Sequence, residues 1–166
     1  MATKVQIHLV EAALLSLLPA RLKISYGRNV SVAPIGGRDF NQDGQLVLKS
    51  PAIRLRFSSG NYADLRDIQR LTAEAELYWD IICFEESLKS QADERTKTLE
   101  MLAVVQDELS GARLLLSPGV YTQPTRLVAV NPVMDTYGPV DQCYALTIAV
   151  SGLAQFSGVN ANFGAK

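Results

Sequence analysis

The clearest pattern of hydrophobic and polar positions lies in residues 70–112. In residues 70–84, every second side chain is apolar. These side chains are Leu71, Ala73, Ala75, Leu77, Trp79, Ile81 and Cys83. After a charged segment at 85–95, apolar residues recur at helical spacing, so a half-buried strand followed by a packed helix is predicted. Because no catalytic group lies on the predicted core face, this unit is typical of an architectural protein.

Two helices are predicted by the same reasoning. The first begins at a capping-box pattern in residues 3–6, carries an apolar stripe and ends at Pro19. The second runs from about Ala92 to Gly111. We expect its apolar face to cover Trp79 on the long strand. That apolar face consists of Leu99, Leu102, Ala103 and Leu109.

Shorter alternating segments predict the remaining strands. They are residues 22–26, 30–35, 51–57, 127–130 and 144–150. Polar, Gly and Pro residues predict a flexible connection at 58–69 and a turn at 135–142. The order of helix, strands, helix and strands favours a two-layer α+β fold, in which two main helices pack on one face of a mixed β-sheet.

Length and composition are ordinary for one globular domain. The chain has 166 residues, of which 48% are hydrophobic, and a net charge of −1. We predict a single domain over residues 1–156 and a flexible C-terminal arm over residues 157–166, where Gly, Asn and Ala dominate. A net charge near zero argues against binding nucleic acid through a bulk positive field.

Membrane insertion and secretion are not expected. The longest apolar run, from Leu9 to Leu18, is interrupted by Glu11 and is far shorter than the roughly 20 residues that cross a bilayer. The run also lacks the flanks of a signal peptide. Cys83 and Cys143 lie in predicted strands that could be neighbours in one sheet. Buried free thiols in a reducing cytoplasm are favoured over a disulfide.

One local pattern suggests metal chemistry. Asp39, Asn41 and Asp43 match the first, third and fifth positions of a calcium loop, and Gly44 matches its turn position. The match fails at the twelfth position, where Ser50 replaces the required carboxylate. A surface turn held by an Asn or Asp side chain is therefore favoured over a metal site. No cofactor is predicted.

The sequence offers little for catalysis. His8 is the single histidine, so it has no second histidine with which to share a metal, and a structural or simply solvated role is expected. Glu74, Glu76 and Asp80 could perform acid–base chemistry as paired carboxylates. Their alternation is already explained by the solvated face of a sheet or by a surface seen by a partner. The chain is therefore interpreted as a non-enzyme.

Contact with a partner has stronger support. Tyr78, Ile82 and Phe84 are large apolar groups on the nominally polar face of the long strand, so something must cover them. Either residues 113–124 of the same chain or another subunit could do so. The further candidate interface residues are Asp64, Arg66 and Phe163, from the flexible connection and the arm.

The order of these segments resembles a known family. PAIRLRF forms one predicted strand, AEAELYWDIICFEES the long strand, and ERTKTLEMLAVVQDELSG the second helix. An amphipathic helix precedes them and two strands follow. Over roughly residues 3–155, this order resembles the tail-terminator, or tail-completion, proteins of long-tailed phages, in particular those of Mu-like contractile-tail modules.

The resemblance implies a structural virion protein without catalytic residues. In that family a mixed sheet is flanked by helices, and the protein forms a hexameric ring on the finished tail tube. The ring stops tube polymerisation and offers the docking face for the head-side connector. The implied partners are further copies of the chain and the tail tube protein, with the sheath and the connector as additional candidates and DNA passing only through the ring lumen. The implied location is the neck of the virion tail, after assembly in the host cytoplasm.

Two alternatives remain open. One is another neck or cap component of a phage-like contractile particle, which differs from a terminator in copy number and position. The other is a small calcium- or ligand-binding module, which would need the side-chain oxygens of Asp39, Asn41 and Asp43.

Overall fold

The computed structural model describes residues 5–64, 72–86, 90–135 and 138–155. Its helices are α1 (Ile7–Ser25) and α2 (Gln91–Leu109), and a short 3₁₀ turn spans Gly37–Asp39. Its strands are β1 (Ser31–Pro34), β2 (Ala52–Tyr62), β3 (Thr72–Phe84), β4 (Leu115–Ser117), β5 (Val120–Tyr121), β6 (Arg126–Asp135) and β7 (Gly138–Gln155). No helix within these described ranges is long and apolar enough to cross a membrane. The predicted arm at 157–166 lies outside them.

Five strands form one sheet in the order β1–β2–β3–β7–β6. β1 runs parallel to β2, and the other neighbouring pairs are antiparallel. β4 and β5 form a separate small hairpin. Both helices contribute side chains to one core on one face of the large sheet. The predicted α+β fold, with a mixed sheet and two helices on one face, is confirmed.

Trp79 lies in the main core between the sheet and the helices. Its side chain is fully buried, and β7 places Ile148 opposite it in the ladder. The Phe57 ring packs edge-on against the indole, with ring centroids 5.4 Å apart. The alternation of residues 70–84 therefore identified the core-facing side of β3 correctly.

Helix α1 is longer than predicted. The expected end at Pro19 and the expected strand at 22–26 are wrong, because the helix continues well beyond Pro19. A proline inside a helix costs about 3 kcal/mol, since it removes a backbone hydrogen bond. Leu18 and Leu22 on either side are fully buried, and each contributes about 1.5–3 kcal/mol, which offsets that cost. Gly27, at a φ of 71°, then ends the helix.

The packed face of helix α2 agrees with the prediction in part, since Leu102 and Leu109 are buried. Its N-terminus is capped by the Ser90 hydroxyl, which accepts a hydrogen bond from a first-turn N–H at 3.1 Å. Leu99 is 38% exposed and Ala103 is also exposed, so these two core assignments are wrong. The buried side chains are Thr98, Met101, Leu102, Val105 and Leu109. The polar Thr98 hid this stripe, because its burial depends on hydrogen bonds with the Glu85 backbone.

Two strands extend into segments that were predicted as connections. β2 continues through a bulge after Phe57 and pairs with β3 as far as Tyr62 opposite Ala75. β7 begins at Gly138, so most of the turn predicted at 135–142 is strand instead. Polar residues are compatible with both extensions, because the backbone ladder does not depend on side-chain polarity.

Candidate subunit-interface surfaces

The sheet face opposite the helices contains three of the six predicted interface residues, Tyr78, Ile82 and Phe84. Along β3 this face carries polar side chains first and apolar side chains last, from Glu74 to Phe84. The face therefore divides into a polar half and an apolar half, which have different surroundings.

The apolar half is covered by the chain itself. Ile82 is fully buried in a second hydrophobic cluster, and Phe84 packs against it. The other buried members of the cluster are Leu48, Ala52, Val133, Cys143 and Ala145. Part of the cover comes from residues 36–49, here called the cap loop, and part from the end of β6 and the start of β7.

Two expectations about this cover need correction. Residues 113–124 do not provide it, since Leu114 and Leu116 belong to the main core on the helix side. Ile82 does not need a neighbouring subunit, because the second cluster already buries it. The signal that sequence reasoning missed is the short apolar alternation at 46–48 in the cap loop.

A buried ion pair fastens the cap loop to the sheet. Asp39 is 2% exposed and Arg54 is 6% exposed. The Arg54 Nε donates a hydrogen bond to Asp39 Oδ1 at 2.8 Å, and the Gly36 N–H donates to Oδ2 at 2.9 Å. Arg54 also donates to the carbonyls of Ser31 and Ile53, each at 3.0 Å. Both charges are thus compensated, as a stable buried ion pair requires.

The same contacts decide between a calcium loop and a surface turn. Asp39 is already committed to Arg54, and Asn41 Oδ1 accepts hydrogen bonds from the N–H groups of Asp43 and Gln45 at 3.0 and 2.9 Å. Within the described ranges, no group of three or more His, Cys, Asp or Glu side chains is placed to hold a metal ion. The predicted turn held by an Asn side chain is confirmed, and its geometry favours the turn over a calcium site.

Asp80 occupies the centre of the polar half. Its Oδ2 accepts hydrogen bonds from Arg56 Nη2 at 2.7 Å and Nε at 3.0 Å, and its Oδ1 accepts from Thr147 Oγ1 at 2.7 Å. Asp80 is buried, whereas about half of the Arg56 side chain is exposed. These bonds join β2, β3 and β7, so the Asp80 carboxylate contributes to packing.

Glu76 and Tyr78 lie on the more open part of the polar half. The Tyr78 hydroxyl donates a hydrogen bond to Glu76 Oε1 at 2.7 Å, and Arg126 of β6 forms an ion pair with the same oxygen. The bond to the Glu76 carboxylate raises the pKa of Tyr78, because it stabilises the protonated phenol. Tyr78, a predicted interface residue, is therefore half-buried and held in place by the sheet.

A buried carboxylate also lies just beyond β3. Glu85 accepts a hydrogen bond from the Tyr26 hydroxyl and forms an ion pair with Arg28. Burial raises the pKa of Tyr26, although the positive charge of Arg28 acts in the opposite direction. The Thr98 hydroxyl of α2 also donates a hydrogen bond to the Glu85 carbonyl. The contacts of Glu85 therefore join the end of α1 to β3 and α2.

The two cysteines are buried free thiols, as predicted. They lie on adjacent strands, but Cys83 belongs to the main core and Cys143 to the second cluster. Their side chains therefore lie on opposite faces of the sheet. Burial raises the pKa of both thiols, to about 12 for Cys143. Neither is a reactive nucleophile at neutral pH.

The remaining predicted site residues are exposed or undescribed. His8 is exposed on α1, so a structural role in the core is wrong and the solvated alternative holds. Asp64 is exposed shortly after β2. Arg66 and Phe163 lie outside the described residues.

Sequence reasoning missed the surface along β6. This strand is at the edge of the sheet and pairs with β7 on one side, and within the described chain no strand pairs with its outer side. Seven of its 10 residues are exposed. Its exposed large apolar side chains are Val128 (42%), Val130 (40%) and Met134 (62%). The apolar run from 127 to 134 was the available signal, but Pro132 was interpreted as its end.

A surface pocket of about 640 Å³ lies at the end of the sheet where β2, β3 and β7 meet. Its polar lining residues include Asn61, Tyr62, Glu74, Glu76, Gln123 and Ser151. Its described lining contains no His, Cys or Lys, and Glu76 is already paired with Arg126.

Comparison with known proteins gives a likeness to solved structures. No protein-family model and no curated protein matches the chain. Among solved structures, the chain is similar to a chain in an assembly described as "Virion of native gene transfer agent (GTA) particle". The two chains are 15% identical and superpose with a TM-score of 0.48, over 89% of this chain and 95% of the other. Likeness at this level does not assign a function to this chain.

Proposed function

We propose that this protein is a structural subunit of a phage-like virion that caps the tail tube as a hexameric ring. The ring ends tube polymerisation and forms the docking face for the head-side connector. Its partners are further copies of the chain and the tail tube protein, with the sheath and the connector as additional candidates, and DNA passes only through the lumen. The protein acts in the tail neck, after assembly in the host cytoplasm, without catalysis.

The observation that carries this proposal is the exposed edge of β6. A cyclic ring joins unlike surfaces of neighbouring subunits head to tail. β6 offers one such surface, with 10 residues and three exposed large apolar side chains. The opposite edge, β1, has only four residues and is partly buried, so the two edges are unlike.

The order of elements adds support from the family resemblance. The segments on which the resemblance rests form the first half of β2, nearly all of β3 and most of helix α2. An amphipathic helix precedes them as α1, and β6 and β7 close the sheet. This is the order expected of a tail-terminator protein.

Growing tail tubes provide the direct test. Purified protein is added to polymerising tubes, and tube length and end structure are measured by electron microscopy. We expect shorter tubes that carry a ring with six-fold symmetry at one end. Unchanged tube lengths, or density for a single copy at the tube end, would contradict the proposal.

A matched pair of variants shows whether β6 takes part. Val130→Asp places a charge on the β6 edge, and Leu115→Asp places the same charge on the exposed β4. We expect Val130→Asp to abolish the ring and Leu115→Asp to preserve it. If the two variants form rings equally well or equally badly, ring formation does not depend specifically on β6.

The second candidate is another neck or cap component of a phage-like contractile particle. The same exposed edge would suit that role, because neck components also assemble through repeated contacts. Copy number and position in the particle distinguish the two roles. Density away from the end of the tube would favour this candidate.

A further inference from the structure

The outer edge of β6 has backbone groups that another strand could pair with. Its register against β7 is interrupted by irregularities after Leu127 and after Pro132, which leaves 129–132 as the continuous stretch. Charged residues and proline commonly protect an exposed edge from pairing, and on this strand they are Arg126, Pro132 and Asp135, which lie outside residues 129–131. Such an edge, with Val128 and Val130 exposed beside it, suits the addition of one short strand.

A short alternating segment in the chain has matching side chains. Val159, Ala161 and Phe163 alternate with Asn160 and Asn162. A period of two places the apolar side chains on one face and the asparagines on the other. In a strand added beside β6, the apolar face can form cross-strand pairs with exposed valines, while the asparagines stay in water.

Chain length decides which copy can donate this segment. Val159 is four residues beyond Gln155, the end of β7, and an extended chain covers at most about 14 Å in four residues. The nearest residue of β6 is Arg126, which pairs with Ala149, six residues back from Gln155 along β7. Six strand residues span about 20 Å, and the sideways step to the outer edge adds further distance. Val159 therefore cannot reach β6 of its own copy, so the segment cannot pair there along its whole length.

We infer that the outer edge of β6 accepts residues 159–163 of a second copy of this chain as an added strand. The inference rests on the proposed ring and identifies the contact between neighbouring subunits. Donation from copy to copy is a heterologous contact, because the donor and the acceptor are different parts of the chain. Such contacts close into a ring when each copy donates its segment to the next copy.

Disulfide trapping between two differently labelled copies tests the contact. Full-length Val130→Cys protein is mixed with full-length Phe163→Cys protein under mild oxidation, and heterodimers are counted on non-reducing gels. Cys83 and Cys143 are buried, so the native thiols do not compete. Leu115→Cys mixed with Phe163→Cys is the matched control, since Leu115 is an exposed apolar residue on β4.

We expect at least several-fold more heterodimer with Val130→Cys than with Leu115→Cys. A synthetic peptide of residues 157–166, added in excess, should suppress the Val130→Cys product, whereas the same peptide with Phe163→Ser should not. Equal cross-linking at both positions, or none at Val130→Cys, would overturn the inference. A ring on tail tubes without this cross-link would leave the proposed function standing. The cross-link without any ring would contradict the proposed function instead.

Discussion

At the scale of single residues, the Asp39–Arg54 ion pair holds the cap loop. Both charges are buried, so removing one leaves the other without compensation. We expect Asp39→Ala to lower the free energy of unfolding by about 3–5 kcal/mol. Urea unfolding followed by circular dichroism measures this change.

Two controls accompany that variant. Asp39→Ala combined with Arg54→Met leaves no buried charge, so the double variant should be more stable than Asp39→Ala alone. Lys97→Ala breaks the ion pair with Asp93 on the surface of α2 and should cost less than about 1 kcal/mol. A cost for Asp39→Ala no larger than that for Lys97→Ala would show that the ion pair does not hold the loop.

The buried thiols predict how stability depends on pH. Burial raises the pKa of Cys143 from 9.0 to about 12, and it also raises the pKa of Cys83. Above the ordinary thiol pKa, the unfolded chain loses protons that the folded chain retains, so the free energy of unfolding falls as pH rises. We expect the melting temperature to decrease as pH rises from about 9 toward about 12.

A variant without thiols separates this effect from that of the tyrosines. The pKa values of Tyr26 and Tyr78 are also raised, so they act in the same direction but from a higher ordinary value. The variant with Cys83→Ala and Cys143→Ala should show a smaller decrease over the same range. An unchanged pH profile would show that the thiols do not contribute.

Residue-scale contacts were the least predictable part of the molecule. Arg54 alternates with the core residues Ile53 and Leu55 of β2, so the sequence places it on the opposite face but does not indicate that this face is covered. The cap loop covers that face and gives Arg54 its partner, Asp39. A strand pattern identifies which side chains share a face, whereas what folds over that face depends on contacts distant in sequence.

At the scale of elements, periodicity predicted the kinds of element better than their ends. β3 begins within two residues of its predicted start, because its alternation is long and regular. Helix α1 passes Pro19, since burial of Leu18 and Leu22 outweighs the local cost of proline. Single breaker residues are thus unreliable ends where a core-facing stripe continues beyond them.

The start of α1 is attached to the sheet through Val5 and Gly152. The Val5 N–H donates a hydrogen bond to the Leu153 carbonyl at 2.8 Å, and a Cβ atom on Gly152 would overlap the Val5 side chain. Gly152→Ala should therefore destabilise the protein by about 1–3 kcal/mol. Thermal melting of the variant measures the effect.

A double-mutant cycle assigns that cost to the contact. Val5→Ala removes the overlapping methyl groups, so the added cost of Gly152→Ala should largely disappear in the double variant. Strictly additive costs would show that Gly152 is required for another reason. Gly36→Ala is the control, because a Cβ atom there meets nothing within 4 Å.

At the scale of the whole molecule, the fold class followed from the sequence, whereas the exposed edge of the sheet did not. The order and periodicity of the elements were enough for an α+β fold with two helices on one face of the sheet. The order of the strands in the sheet decides which strand lies at an edge, and periodicity does not contain that order. β6 was therefore missed, while Ile82, an interior residue, was chosen.

Deletion of residues 157–166 separates folding from assembly. Because the segment is proposed to pair with another copy, its removal should change the melting temperature of the free protein very little. Loss of the donated strand should prevent ring formation on tail tubes. Differential scanning calorimetry and electron microscopy measure the two effects. A truncated chain that unfolds would show that the segment belongs to its own core.

The arrangement of β7 has a mechanical consequence. β7 pairs with β3 from Cys143 to Gln155 and with β6 from Gly138 to Ala149, so its central residues 143–149 are held on both sides. A force along the strand axis loads many ladder hydrogen bonds at once, whereas a sideways force on an edge strand breaks them one after another. Tension that enters through β6 along its axis therefore passes by shear into β7 and then β3. The interior of the sheet, and not the helices, would carry load between neighbouring copies.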